Sequence, residues 1–188
     1  YKHLVVSPHY TREVWETLIN REIKNKCKGS SAGIQLKLNS LSDYQIIDKL
    51  YEASQNGVPI KILVRGICCL IPGIKGLSEN ISVISIVDKF LEHSRLYIFN
   101  NNNDPQYFIS SADIMGRNLD TRVEISCPIY DSGIKQELQE TFDISWQDNV
   151  KARLISKSQD NTYIKEGRGS IRSQFAIYEY YQKKLNAV

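Results

Sequence analysis

"GIQLKLNSLSDYQIIDKLYEASQNGVPIKILVRG", residues 33 to 66, sets two alternating apolar runs on either side of a stretch with helical spacing. Ile34, Leu36 and Leu38 recur at every second position, as do Ile60, Ile62 and Val64, and a period of two puts each trio on one face of a strand. Between them, Ile46, Ile47, Leu50 and Tyr51 recur at three- and four-residue intervals, which predicts a helix from Asp43 to Asn56 with Gly57 as its stop. Preceded by a strand over Leu4 to Val6 and a first helix, the order is strand, helix, strand, helix, strand, which favours a parallel sheet of all three strands with right-handed crossovers.

Working outward, Leu4 to Val6 reads as a short strand. Ser7-Pro8 and Thr11 offer capping residues for a helix running to about Cys27, where Gly29 marks the end. Trp15, Ile19, Ile23 and Cys27 form its apolar stripe, widened by Val14 and Leu18. On the other side, Ile81 to Ile86 and Leu96 to Phe99 read as strands, and a turn-rich link over Asn100 to Pro105 leads to Tyr107 to Ser110, which predicts a hairpin. Arg122 to Ile129 is a further strand, Ile134 to Trp146 a helix, Val150 to Ile155 a strand, and Ile171 to Leu185 a closing amphipathic helix. The expected class is α/β, a mixed sheet flanked by helices with a C-terminal helical extension.

With 188 residues, 41% of them hydrophobic, the chain can bury one substantial core, and one domain over residues 1 to 188 is expected. No apolar run is long enough to span a bilayer, and Tyr1 to Val6 is too short and polar for a signal or anchor. The lack of an initiator Met suggests a piece of a longer polypeptide. Four cysteines, Cys27, Cys68, Cys69 and Cys127, show no C-x-x-C spacing and are expected to be small buried hydrophobes in a reduced, intracellular protein. The formal charge is +3, but residues 151 to 188 hold eight Lys or Arg against three Asp or Glu, so they carry +5 and the preceding 150 residues −2. A basic tail of this kind suits either an ordinary solvated face or a polyanion, with Lys151, Arg153, Arg168 and Arg172 as candidate contacts.

Ligands of parallel sheets gather beyond the carboxyl ends of the strands. Arg65 stands at such an end, either as an exposed strand-end residue or as a clamp, and Gly66 lets the chain turn away or a ligand approach. In "FLEHSRLYIF", residues 90 to 99, His93 and Arg95 lie two apart at the mouth of a strand and would project from one side of it. An isolated histidine is usually a surface or packed residue, so spacing alone leaves His93 open. Ser110 to Asp113 and Gly116 to Arg122 add hydroxyls, an amide, Arg117 and Arg122 after the hairpin. Gathered at one rim, such cations need an anion, and phosphate suits a guanidinium because two of its oxygens can accept two parallel donors. The acidic residues show no metal-binding spacing.

The blocks "KLNSLSDYQIIDKLYEASQNGVPIKILVRGICCLIPG", "SENISVISIVDKFLEHSRLYIF" and "ISSADIMGRNLDTRVEI", with "DNVKARLI" in the tail, resemble the carboxyl-terminal part of bacterial polyphosphate kinases over nearly the whole chain. The resemblance implies a phospholipase D-like fold, in which two similar modules face one active site. His93-Ser94-Arg95 stands where that fold carries histidine, any residue and lysine. Asn100 stands where an aspartate is expected, and Ser110 to Asp113 is a poor copy of the fold's glycine and asparagine strand. The resemblance further implies reversible transfer of the terminal phosphate of ATP to polyphosphate, with His93 catalytic. Arg65 and His93 would contact the nucleotide phosphates, and Arg95, Arg117 and Arg122 would support them. The histidine that carries the phosphate in the first module has no counterpart here, so the isolated piece is expected to be inactive.

Also implied are Mg2+ with ligands outside this chain, ATP, ADP and polyphosphate as partners beside the upstream domains of the same polypeptide, homo-oligomeric assembly, and a cytoplasmic setting with peripheral membrane association as a variant. No specific nucleic-acid partner is expected. Two other functions remain at this point: a dimeric phospholipase D-type phosphodiesterase and a non-catalytic module that binds a polyanion.

Overall fold

A computed structural model describes residues 1–165, 167 and 169–186. Eight strands form one mixed sheet: β1 (Val5–Ser7), β2 (Ile34–Leu38), β3 (Ile60–Val64), β4 (Ile81–Ile86), β5 (Arg95–Phe99), β6 (Gln106–Ser110), β7 (Glu124–Ile129) and β8 (Ala152–Ile155). Their spatial order is β1-β7-β6-β5-β2-β3-β4-β8. The helices are α1 (Thr11–Cys27), α2 (Tyr44–Gln55), the single turn α3 (Gly116–Asp120), α4 (Ser132–Trp146) and α5 (Ser173–Asn186).

The two-residue period explains the layers. Ile34, Leu36 and Leu38 of β2, Ile60, Ile62 and Val64 of β3, and Tyr97 and Phe99 of β5 face α1 and α2 in the larger core, against Trp15, Leu18, Ile46 and Leu50. The alternate positions Leu63, Ile84, Leu96, Ile98 and Tyr107 meet Phe142 in a second core beneath α4. Trp15 anchors the first layer: its ring stacks 4.7 Å from Tyr97 and meets Phe108 edge-on at 5.3 Å. Such pairs add about 0.5–1.5 kcal/mol each beyond the apolar area they bury. At the far end of α1, Cys27 is exposed rather than part of the stripe. Cys69 is exposed too, Cys127 is half-buried, and Cys68, also half-buried, packs against the larger core, so of the four only Cys68 approaches the expected role.

β2, β3 and β4 are parallel in neighbouring register. β1 is not their neighbour. It pairs antiparallel with β7 at the far edge, Val5 opposite Ser126, so the first helix crosses over β7, β6 and β5 before the chain enters β2. The basic C-terminal stretch contributes β8, antiparallel to β4, and α5, which packs on α4.

Local signals account for most boundaries. Asp43 caps α2, its carboxylate accepting from the Ile46 N–H, and Asp131 caps α4 by accepting from the Ile134 N–H. The expected cap of α1 differs. Tyr10 is the capping residue and its side chain makes no capping bond, while the Ser7 hydroxyl donates to Thr11 Oγ1 at 2.8 Å. The hairpin loop of asparagines takes left-handed backbone angles at Asn101, Asn102 and Asn103, with φ of 47°, 56° and 67°, a conformation that asparagine tolerates better than most residues. No helix among the described residues is long and apolar enough to cross a membrane.

Candidate active-site rim

Strand direction gathers the polar chemistry at one end of the sheet. β2, β3 and β4 finish there; β5, being antiparallel to β2, starts there; β6 ends there and β7 begins there. The segments carrying Arg65, His93, Arg95, Arg117 and Arg122 therefore all leave or enter the same edge.

Arg65 is the first residue beyond β3, half-buried, with its Nε donating to Asn39 Oδ1 at 2.8 Å. Its two terminal nitrogens make no hydrogen bond among the described residues. Gly66 follows because the backbone allows nothing larger without a shift: a Cβ there would lie 3.0 Å from the Asn39 carbonyl oxygen, which already accepts from the Gly66 N–H. Arg65 shares a hollow of about 30 Å³ with Glu92 and Ser94, the residues on either side of His93, and with Lys37, which is paired with Glu92 at 2.5 Å. His93 itself precedes β5, is exposed, and makes no side-chain hydrogen bond or ring contact among the described residues. Thus Arg65 and the His93 segment meet.

Arg95, expected to project from the same side as His93 and support it, is held by an acid. Its Nε and Nη2 donate to the two oxygens of Asp113 at 3.1 and 2.9 Å, and its Nη1 donates to the His93 carbonyl at 3.0 Å. The carboxylate is nearly buried, so it claims the guanidinium and turns it inward. Asp113 Oδ1 also accepts from the backbone N–H groups of Asn39 and Ser40, at 2.7 and 3.1 Å. Burial pushes the Asp113 carboxyl up, but the bonds from Arg95, Asn39 and Ser40 outweigh it and hold it below the usual carboxylate range. The bond to Asp113 raises Arg95 in turn. Arg65, Asn39, Asp113, Arg95 and the His93 backbone thereby form one hydrogen-bonded chain across the rim.

Arg117 lies on α3, and Arg122 in the turn after it, two residues before β7 begins rather than on that strand as expected. Both are exposed, and their side chains form no hydrogen bond or ion pair among the described residues. They share the rim edge with Arg65 and His93, and no contact joins them to either. Their platform is fixed by Arg12, which donates to Asp43 at 2.8 and 2.7 Å and to Asp120 at 2.8 and 2.6 Å, tying the starts of α1 and α2 to α3. Hydrogen bonds to those two carboxylates raise the Arg12 guanidinium above its ordinary value. Neither Arg12 nor Asp113 has a local sequence signal for its role, since the partners lie far along the chain.

The acids at the rim are committed: Asp113 to Arg95, Glu92 to Lys37, Asp43 and Asp120 to Arg12, and Glu124 to the Ser111 hydroxyl and Asn118. With these acids paired, and with no group of three or more His, Cys, Asp or Glu among the described residues placed to hold a metal ion, the rim carboxylates do not fit a magnesium site. Of the tail cations, Lys151 is half-buried and its side chain makes no hydrogen bond or ion pair among the described residues, while two others are engaged. Arg172 pairs with Asp88, and Arg153 lies 4.2 Å over the Tyr163 ring, while Arg168 lies outside the described residues.

A mixed sheet of this order, layered by helices on both faces, has the phospholipase D-like fold. The solved structure of Nuc, a phospholipase D family member from Salmonella typhimurium, shares that fold with a TM-score of 0.60 at 15% identity, covering 82% of this chain and 97% of that one. Within the class, the chain belongs to the family described as polyphosphate kinase C-terminal domain 2, whose model matches residues 4–174.

Its relatives include the polyphosphate kinases of Klebsiella pneumoniae, 49% identical over 181 residues, and of Escherichia coli K12, 47% identical over the same length. Each alignment covers 96% of this chain and 26% of the relative, so the chain spans about a quarter of their length. The crystal structure of polyphosphate kinase from Porphyromonas gingivalis matches with a TM-score of 0.94 at 41% identity, over 99% of this chain and 29% of that one.

Proposed function

We propose that this chain acts as one module of a polyphosphate kinase, supplying one wall of the site where the terminal phosphate of ATP is reversibly transferred to polyphosphate. The observation that carries this reading is the rim itself: Arg65 keeps two guanidinium nitrogens unspent beside the hollow that the His93 segment also lines. Two parallel donors of this kind suit a phosphate group, and family membership supplies the substrate class.

Phosphoryl transfer asks a protein mainly to align donor and acceptor and to offset charge. In the forward step an imidazole nitrogen of the upstream module attacks the terminal phosphorus of ATP. A nitrogen–phosphorus bond forms as the bond to the bridging oxygen breaks, and the electron pair leaves with ADP. Arg65 holds the phosphate tail, and the His93 imidazole donates a hydrogen bond to the departing oxygen. The phosphoryl group then passes to the end of a polyphosphate chain. Arg117 and Arg122 add positive potential along the same edge, and Arg95 acts through the backbone of His93 rather than by touching phosphate. Magnesium enters this scheme with the nucleotide, its protein ligands lying outside this chain. ATP, ADP, polyphosphate and the upstream domains of the same polypeptide are the partners, in a homo-oligomer acting in the cytoplasm.

A phosphodiesterase of the phospholipase D type would need a free basic partner two residues after the histidine. All three nitrogens of Arg95 are engaged elsewhere, which weighs against that function. Arg65→Ala in the full-length enzyme tests the kinase reading. A charge-assisted phosphate contact is worth about 1.5–3 kcal/mol, so kcat/KM for ATP should fall roughly 10- to 100-fold. An unchanged kcat/KM would remove Arg65 from the site.

A further inference from the structure

His93 sits on a segment, residues 87 to 94, that belongs to no helix or strand. Backbone N–H and C=O groups outside regular structure need other partners to stay in one place. Here they come from the other end of the sequence. Gln174, in the first turn of α5 and 8% exposed, uses both ends of its amide on one residue. The Phe90 N–H donates to Gln174 Oε1 at 2.8 Å, and Gln174 Nε2 donates to the Phe90 carbonyl at 2.8 Å.

Two residues before each partner, Arg172 grips the nearly buried Asp88 with two bonds of 2.8 and 2.6 Å. The Phe90 and Phe175 rings lie 6.1 Å apart, with the Arg172 guanidinium 4.6 Å over Phe175. The start of α5 is itself anchored, because the Ser173 N–H donates to Asp148, a buried carboxylate that also accepts from the N–H groups of Val150, Lys151 and Ala152. A chain of contacts thus runs from the base of β8 through α5 to a point three residues before His93.

We infer that Gln174 is a positioning residue of the phosphoryl-transfer site: by clamping the Phe90 peptide it holds the segment that presents His93 to the nucleotide. This rests on the reading of His93 given above. The reciprocal amide pair explains why a glutamine, rather than any buried side chain of similar size, occupies the position. It offers one acceptor and one donor to a peptide that needs both. α5 therefore serves catalysis as well as covering α4.

The test uses the full-length enzyme. Gln174→Ala should lower kcat for polyphosphate synthesis roughly 10- to 100-fold, the scale on which small misplacements of a catalytic group act. Lys184→Ala, also on α5, which breaks the pair to Glu137 of α4, should lower the unfolding midpoint slightly and leave kcat unchanged.

Gln174→Glu separates positioning from bulk stability. Its carboxylate can accept from the Phe90 N–H but repels the Phe90 carbonyl, whereas its protonated form donates to that carbonyl as the glutamine does. Burial raises a carboxyl, so the ratio of variant to wild-type kcat should climb toward one as pH falls from about 8 to about 6. A ratio flat with pH, a wild-type kcat in Gln174→Ala, or an equal loss in Lys184→Ala would each overturn the clamp. Loss of activity in His93→Ala with none in Gln174→Ala rejects the clamp alone, whereas full activity in His93→Ala rejects the site on which it rests.

Discussion

In the full-length enzyme, His93→Ala is expected to lower ATP-dependent polyphosphate synthesis by roughly 10²- to 10⁴-fold, the range over which a positioned general acid acts. Stability should hardly change. The imidazole is exposed and makes no side-chain contact among the described residues, and surface substitutions of that kind usually stay within about 0.5 kcal/mol. The separation between the two effects is the point, because a structural histidine would lose both together. Steady-state synthesis assays beside urea unfolding of the same variant read the two quantities independently. Wild-type turnover would take His93 out of the mechanism.

The opposite pattern is expected at Asp113. Asp113→Asn removes the charge that Arg95 faces at 2.9 Å in a nearly buried pair, and it can present an amide hydrogen toward the N–H groups of Asn39 and Ser40. Breaking a buried ion pair by altering one partner costs about 3–5 kcal/mol, so the urea midpoint should drop sharply and activity with it. The pH dependence has a definite sign. The folded-state carboxyl is held below its unfolded value, so its stabilisation is present above the unfolded pKa, about 3.9, and is lost as pH falls through the lower folded value. Wild type should therefore lose this increment on acidification, and Asp113→Asn, having none to lose, should show a flatter stability profile below about pH 4. Parallel profiles for the two proteins would show that the pair does not contribute.

The contrast between these residues also explains what the sequence discloses. Strand and helix periods depend on neighbours two to four positions away, so β2, α2, β3 and β4 can be recognised within a residue of their bounds. The placement of β1 depends on its pairing with β7, more than a hundred residues on, and nothing in Leu4 to Val6 announces it. α3 is one turn long, too short for a period to show. Of the proposed site, the strand-mouth positions of Arg65 and His93 are legible, while their roles come from the family resemblance. The pairing of Arg95 is not legible, because alternation along a strand gives the side a residue faces, while the acid that holds it lies 18 residues away in an irregular loop. Arg12 and Gln174 escape notice for the same reason, their partners being 31 to 108 and 84 residues distant.

The central claim is that nucleotide phosphates sit against Arg65 and His93. A crystal structure of the full-length enzyme with a non-hydrolysable ATP analogue tests it most directly. The expected result is phosphate oxygens within hydrogen-bond distance of both Arg65 terminal nitrogens and of the His93 imidazole, with Arg95 still paired to Asp113. Phosphates bound elsewhere, with Arg65 and His93 facing only solvent, would contradict it.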